Sequence, residues 1–219
     1  MIEVLKAPPL NHAGPEILRY LQREGIIREF DDKEANLAWE WYTPDKYLKA
    51  IRKMMGGIDI DPASSEIAQR RVKAKVYYTR KTNGLDHEWK GNLWLNPPYK
   101  ESLITQFIDK AAKEYLDGCV AQAIIQTHTA TTWKKWFQKL VRLSDAMCFV
   151  NEVIQWIPSW KGYEKDLRAL GFNPDEFPTY DVMPVIFFYW GKESRRFYKI
   201  FSKFGQVWRN SEHPADSLR

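Results

Sequence analysis

From Trp39 onward, short apolar runs alternate with segments in which apolar residues recur at helical spacing. Thr43 and Pro44 are typical of a helix start, and Leu48 and Ile51 would lie on its buried face. Further helices are predicted over residues 103–116 and 133–140, and strands over 57–61, 93–95, 119–126, 146–150 and 184–190. This alternation predicts an α/β fold of the Rossmann-like kind, with a mostly parallel central sheet and helices on both faces.

The first 38 residues follow a different pattern. Pro8-Pro9 and Gly14-Pro15 interrupt the chain, and apolar residues then recur at helical spacing up to Gly25. We therefore expect a helical appendage over residues 1–38, a main domain over 39–209 and a polar tail over 210–219. A chain of 219 residues with 44% hydrophobic content is long enough for such a domain.

Charge and cysteine usage narrow the class of protein. The formal charge of +5 and the pI near 9.0 favour a polyanionic partner. Cys119 and Cys148 lie in apolar runs without the spacing of metal ligands, so we expect reduced core residues, no metal site and a cytoplasmic location. No run reaches about 18 apolar residues and the start does not resemble a signal peptide, so no membrane contact is expected. Monomer and dimer both remain open.

Four residues with a chemical role follow the apolar run 93–95: Asn96, Pro97, Pro98 and Tyr99. The amino nitrogen of adenine is a poor nucleophile, because its lone pair is delocalised into the ring. The amide oxygen of Asn96 and the carbonyl oxygen of Pro97 can each accept one amino hydrogen, while Tyr99 stacks on a base turned out of its helix. Consecutive prolines also simply end strands, but a turn does not need Tyr99. The set therefore predicts catalytic residues for methylating adenine.

A second group ends the strand predicted at 57–61. Asp59 and Asp61 are followed by Pro62, Ala63 and Ser64. A carboxylate here can bind the ammonium of S-adenosylmethionine, and small residues allow the cofactor close to the backbone. An ordinary strand-to-loop turn would use the same residues.

Taken in order, several segments resemble the phage-type DNA N-6-adenine methyltransferases, a Dam-like family. The resemblance covers about residues 39–208, and the asparagine-proline motif is its specific part. The matching segments are Trp41-Tyr42-Thr43-Pro44, Asp59 to Ser64, Tyr77-Tyr78-Thr79, Asn83-Gly84-Leu85 with Trp89, Trp94 to Tyr99, and the later stretches 127–133 and 187–191.

The resemblance implies a class I methyltransferase fold that uses S-adenosylmethionine and methylates the N6 amino group of adenine in DNA, in a bacterial cell or phage-infected host. It places Asp61 beside the methionine end of the cofactor. The cofactor-binding residues it implies are Trp41, Tyr42, Thr43, Pro44, Asp59, Asp61, Pro62, Ala63, Ser64, Asn83, Gly84 and Leu85.

Two departures from common patterns bear on the cofactor site. The family more often has Asp at the position of Asn83, so we expect weaker cofactor binding rather than its loss. No Gly-x-Gly loop follows the first strand, so close backbone approach must occur over Ala63 and Ser64.

Other polar and aromatic residues are candidates for substrate binding. Thr127, Thr129 and Trp133 follow a strand end, where they could contact DNA, or the threonines could cap the next helix. Trp156, Trp160 and Lys161 suit base stacking and phosphate contact, or could pack within the fold.

Alternative functions share parts of this pattern. The motif also serves enzymes that methylate RNA adenine, the N4 group of cytosine or a glutamine amide. Asn96 disfavours cytosine, for which Ser is commoner, and the glutamine enzymes carry a glycine-rich loop that is absent here. A catalytically silent DNA-binding module with this fold is a further alternative.

Overall fold

The computed structural model describes residues 27–31, 36–39, 41–128, 134–152, 154–158, 161, 164–169, 171, 173–176 and 182–210. The chain divides into two compact units, one formed by Met1–Pro44 with Gln155–Val182 and the other by Asp45–Ile154 with Met183–Arg219. This division differs from the sequence-based boundaries, which placed residues 155–182 in the same domain as residues 45–154.

The strands and helices follow one another through both units. The strands are β1 (Ile27–Asp31), β2 (Asn36–Trp39), β3 (Trp41–Tyr42), β4 (Ile60–Asp61), β5 (Val76–Tyr77), β6 (Gly91–Leu95), β7 (Val120–His128), β8 (Ala146–Val150), β9 (Ile154–Gln155), β10 (Ile157–Pro158), β11 (Val182–Met183), β12 (Val185–Trp190) and β13 (Gly205–Arg209). The helices are α1 (Asp45–Met55), α2 (Glu66–Val72), α3 (Glu101–Leu116), α4 (Lys135–Leu143), α5 (Glu164–Ala169) and α6 (Ser194–Phe201).

One seven-stranded sheet organises the second unit, in the order β13-β8-β12-β7-β6-β4-β5. Neighbouring strands from β5 to β7 are parallel. Strand β12 runs antiparallel to both β7 and β8, and β13 runs antiparallel to β8. Five of the seven strands therefore share one direction, and the predicted mixed α/β architecture is confirmed.

Helices cover both faces of this sheet. On one face, Leu95 and Phe188 belong to a buried cluster that includes residues of α3 and α4. On the other face, the ring of Phe187 lies 5.3 Å from that of Tyr47 in α1 and 5.6 Å from that of Phe201 in α6. Successive residues of a strand point to opposite faces, so β12, buried along its whole length, serves both layers.

The elements with strong periodicity lie where the sequence predicted them. Helix α1 buries Leu48, Ile51 and Met55 as predicted, and it ends before Gly56, whose φ of +76° favours glycine. Strand β8 has the predicted bounds, whereas α6 and β13 were not predicted. Cys148 is buried, but the expectation for Cys119 was wrong because its side chain is exposed.

The first unit contains short paired strands. Strands β1 and β2 form an antiparallel pair, so part of the segment that was expected to be helical is extended. The helix expected before Gly25 lies outside the described residues. Strand β3 pairs with β10, placing Tyr42 opposite Ile157 and Trp41 opposite Pro158. Strands β9 and β11, each of which includes the last residue of one unit and the first of the other, form a further two-stranded sheet.

Candidate active site

The strand order of the large sheet changes direction at β4. From β4 the chain passes through α2 to β5 on one side, and it then returns to place β6 on the other side. In open α/β sheets, ligands bind beside the carboxyl ends of strands at such a switch point. Asp61 ends β4 and Asn96 directly follows β6. Because Ile60 pairs with Leu93, Asn96 lies about 7 Å further along the strand direction than Asp61.

Asp61 is a buried carboxylate surrounded by neutral groups. Its side chain is 2% exposed. Gln69 Nε2 donates a hydrogen bond to Oδ2 at 2.8 Å, and the backbone N–H of Ala63 donates to Oδ1 at 3.4 Å. Burial raises the pKa of Asp61 to about 7, although these hydrogen bonds and one from Ser64 oppose the rise. Among the described residues, no cation is paired with this carboxylate.

Gln69 connects three segments around Asp61. Besides its bond to Asp61, Nε2 donates to Ser64 Oγ at 2.8 Å, and Oε1 accepts the backbone N–H of Ala74 at 2.9 Å. The loop after β4, helix α2 and the segment before β5 are thereby joined. Gln69 was not predictable from the sequence, because one polar residue in a short helix carries no pattern of its own.

The turn at Gly84 packs directly on the loop after β4. A Cβ carbon at Gly84 would lie 2.0 Å from the carbonyl oxygen of Pro62. Trp89 is buried and donates from Nε1 to the carbonyl oxygen of Gly84 at 2.8 Å. The backbone N–H of Ser64 donates to the carbonyl oxygen of Tyr78 at 2.8 Å. Three of the segments that carry the family resemblance therefore contact one another beside β4: residues 59–64, residues 77–79, and the turn at Gly84 with Trp89.

Asn83 begins the 3₁₀ turn Gly84–Asp86 with a positive φ of 43°. Its Nδ2 donates to Asp86 Oδ2 at 2.7 Å, and its Oδ1 accepts the N–H of Leu85 at 3.4 Å. The amide thus shapes the turn while remaining exposed. Asn83 tolerates this backbone conformation better than most residues do.

Asn96 and Tyr99 both contact Gln126 on the neighbouring strand β7. Gln126 Nε2 donates to Asn96 Oδ1 at 3.1 Å, and the Tyr99 hydroxyl donates to the carbonyl oxygen of Gln126 at 3.3 Å. The Tyr99 ring also lies 4.1 Å from the ring of His128. Pro97 is buried, whereas Asn96, Pro98 and Tyr99 are half-buried. The motif is therefore held by β7 and remains partly open to solvent.

A comparison with known protein families found a match over most of the chain. The model of a family described as DNA N-6-adenine-methyltransferase (Dam) matches residues 32–171. The chain belongs to this family. No curated protein and no solved structure matches the chain. The Dam match includes β4, β6 and β7 and ends before β12.

Asp59 lies at the opposite end of the strands from Asp61 and Asn96. Its carboxylate pairs with Lys75 Nζ at 2.7 Å and accepts the N–H of Asn92 at 2.8 Å. Gly91 begins β6, and a Cβ there would lie 2.4 Å from the Asp59 carboxylate. The structure therefore places Asp59 at the amino ends of β4 and β6, apart from Asp61.

Several residues that were predicted to bind the cofactor or substrate belong to the first unit, which is formed by residues 1–44 and 155–182. Trp41 and Tyr42 form β3, and Thr43 and Trp156 are buried, whereas Lys161 is exposed. In the second unit, Thr127 is buried near the end of β7. The predicted residues Thr129, Trp133 and Trp160 lie outside the described part of the chain.

Clusters of metal ligands and membrane-spanning helices are both absent from the described part of the chain. Within the described ranges, no group of three or more His, Cys, Asp or Glu side chains could hold a metal ion. Over the same ranges, no helix is long and apolar enough to cross a membrane.

Proposed function

We propose that the chain transfers a methyl group from S-adenosylmethionine to the N6 amino group of adenine in DNA, on a class I methyltransferase fold. This proposal rests on two different sites that lie next to each other where the strand order changes direction. A buried carboxylate without a described cationic partner ends β4, and an amide beside an aromatic ring follows the adjacent strand β6. Membership in the Dam family supports the same conclusion.

The residues around Asp61 fit a cationic ligand. A buried charge is costly unless it is paired, and the described hydrogen-bond partners of Asp61 are all neutral. The ammonium of a bound amino acid would supply the missing positive charge. Pro62, Ala63 and Ser64 would line the same cofactor, and the turn from Asn83 to Leu85 would lie near its adenine.

Asn96 and Tyr99 would act on the base. Asn96 Oδ1 and the Pro97 carbonyl oxygen would each accept one hydrogen of the adenine amino group, which returns the lone pair to nitrogen. That lone pair would form the new N–C bond with the methyl group, and the electrons of the broken S–CH₃ bond would remain on the cofactor's sulfur. The nitrogen then releases one proton to solvent. When bound, the sulfonium cofactor supplies the activated methyl group.

Phosphate contacts are expected along α2 and β5. The segment from Ile67 to Leu85 contains no Asp or Glu, and its positive charge exceeds the net charge of +5 carried by the whole chain. Two of its cations pair with Asp45 and Asp59 in surface ion pairs. Its six cations are Arg70, Arg71, Lys73, Lys75, Arg80 and Lys81. Such a concentration favours a polyanion such as DNA.

A direct assay separates this proposal from its alternatives. The protein is incubated with S-adenosylmethionine carrying a labelled methyl group and with separate pools of DNA and RNA, which are then digested to nucleosides for mass spectrometry. We expect label on N6-methyldeoxyadenosine alone. Label on cytosine or on RNA adenosine would show that the substrate is a different amino group. A parallel incubation with a protein extract, digested to peptides for mass spectrometry, tests the glutamine amide.

Asn96→Ala provides the matched control. Loss of one preorganised electrostatic group typically costs about 100-fold in turnover, while cofactor binding at Asp61 should persist. A wild-type protein that binds DNA but neither binds the cofactor by calorimetry nor transfers label would instead be a silent DNA-binding module.

A further inference from the structure

We propose that Gln126 is a positioning residue that sets which end of the Asn96 amide faces the substrate. This inference rests on the proposed role of Asn96. Gln126 is fully buried on β7, at the position beside Asn96, because Leu95 pairs with Ile125. Its Nε2 donates to Asn96 Oδ1 at 3.1 Å.

An asparagine side chain has two ends of similar shape and opposite chemistry. One end is an oxygen that accepts hydrogen bonds and the other is an NH₂ group that donates them. Only the oxygen can draw a hydrogen from an amino group, so an amide turned over by 180° would present a donor to a donor. Methyl transfer therefore requires a contact that holds the Asn96 amide in one orientation.

Gln126 provides that selection by offering a donor to Asn96. A carbonyl oxygen has two lone pairs, so Oδ1 can accept from Gln126 and still accept a substrate hydrogen. In the reversed orientation, the Asn96 NH₂ would meet the Gln126 NH₂, and a buried unsatisfied donor is costly. The two amides are therefore coupled, and Asn96 can reverse only if the fully buried Gln126 amide turns over with it.

The surrounding contacts tie this pair to the rest of the motif. The backbone carbonyl of Gln126 accepts the Tyr99 hydroxyl, so one residue of β7 contacts both the amide and the aromatic ring. On the far side of Gln126, strand β12 pairs Phe187 with it. Ile125 before it on β7 and Phe187 opposite it on β12 are apolar and fully buried, so an amide at 126 is not what packing against them would select.

A double-mutant cycle tests the orienting role. Gln126→Met removes the donor while keeping a long side chain, and Asn96→Asp replaces the amide with a carboxylate whose two oxygens both accept. Turnover and KM are measured for wild type, both single variants and the double variant at about pH 8, where a carboxylate near its ordinary pKa is ionised.

With Asn96 present, we expect Gln126→Met to lower kcat by about 30-fold or more, because small misplacements of catalytic groups are costly. In the Asn96→Asp background, the same change should lower kcat by less than about threefold, since no orientation remains to be selected. Equal losses in both backgrounds would overturn the proposal, because a packing defect would not depend on residue 96.

Gln126→Glu is a second variant of nearly unchanged shape. A glutamate offers only acceptors when it is ionised, and burial raises its pKa, so kcat is followed up to about pH 9.5. As the new carboxyl ionises, it should turn the Asn96 amide over and lower kcat at least as much as Gln126→Met does. Retained kcat in Gln126→Glu would contradict the assignment even if Gln126→Met did not fold. Cofactor affinity by calorimetry should stay within about twofold in every variant that folds.

The outcomes also separate this inference from the proposed function. If wild type methylates DNA adenine while Gln126→Met and Gln126→Glu are equally active, the orienting role fails and the enzyme remains. If wild type and Asn96→Asp both transfer no methyl group to adenine, the proposed function fails and the orienting role with it.

Discussion

Gly84 lies so close to Pro62 that a Cβ carbon at residue 84 would stand 2.0 Å from the Pro62 carbonyl oxygen and 2.9 Å from its carbonyl carbon. Both obstacles are backbone atoms, which cannot move aside as a flexible side chain can. Gly84→Ala should therefore displace the turn from the loop after β4. We expect a loss of about 1–3 kcal/mol in the free energy of unfolding and a weaker cofactor affinity by calorimetry.

Gly118→Ala is the matched control for removing a glycine. A Cβ at Gly118 would meet nothing within 4 Å, although its φ of +78° makes the substitution strained. It should cost about 1 kcal/mol of stability and leave cofactor affinity unchanged. Unaltered cofactor binding in Gly84→Ala would mean that this turn does not border the cofactor.

Cofactor binding should depend on the protonation of Asp61. Burial raises the pKa of this carboxyl to about 7, and only its ionised form attracts an ammonium group. Affinity should therefore rise by up to about tenfold per pH unit below pH 7. It should fall again above about pH 8, where the α-amino group of the ligand loses its proton. Calorimetry across this pH range measures both the rise and the fall in cofactor affinity.

Asp61→Asn tests whether Asp61 causes the rise in cofactor affinity below pH 7. This variant should bind the cofactor weakly and without the rise between about pH 5.5 and 7. The raised pKa also means that the protonated carboxyl contributes stability below about pH 4 that is lost as pH rises through 7. Thermal unfolding of the ligand-free Asp61→Asn variant should lack that loss, whereas an unchanged pH profile would show that another group titrates.

Tyr99 should matter for turnover more than for DNA affinity. Its ring would stack on one extruded base, and base stacking contributes about 1–3 kcal/mol. Tyr99→Ala should lower turnover about 10- to 100-fold while DNA binding by fluorescence anisotropy changes little. Tyr99→Phe keeps the ring beside His128 and removes only the hydroxyl that donates to Gln126, so most activity should remain. Full activity in Tyr99→Ala would indicate a packing role.

The basic segment along α2 and β5 should set the salt dependence of DNA binding. Changing Arg70, Arg80 and Lys81 to Gln should weaken binding and reduce the slope of log affinity against log salt by about 0.9 for each lost phosphate contact. The control changes Lys192, Lys199 and Lys203 to Gln, which removes the same charge near α6. Equal effects of the two triple variants would indicate attraction by net charge alone.

Periodic segments were predictable because local sequence determines them. Helix α1 has a helix start, a regular buried face and a terminal glycine, and β12 is a continuous apolar run bounded by Pro184 and Gly191. Strands of two residues, such as β5 and β10, are too short to show a period. The motif at Asn96 was recognisable because its chemistry restricts the residue types.

Contacts between distant segments were not predictable from periodicity. The bond between Gln126 and Asn96 joins residues 30 positions apart, and it depends on the parallel register of β6 and β7. The grouping of residues 155–182 with the N-terminal segment likewise depends on pairings such as that of β3 with β10. Such pairings are tertiary, and a single sequence contains no local sign of them.

The three hydrogen bonds of Gln69 have a thermodynamic consequence for ligand binding. They join the loop after β4 to α2 and to the segment before β5 without any ligand. A ligand arriving at Asp61 meets a loop whose conformation is already ordered, so it has little chain entropy to remove. Replacing Gln69 by Leu would transfer that ordering cost to the association step, and the weaker affinity would appear as a less favourable binding entropy.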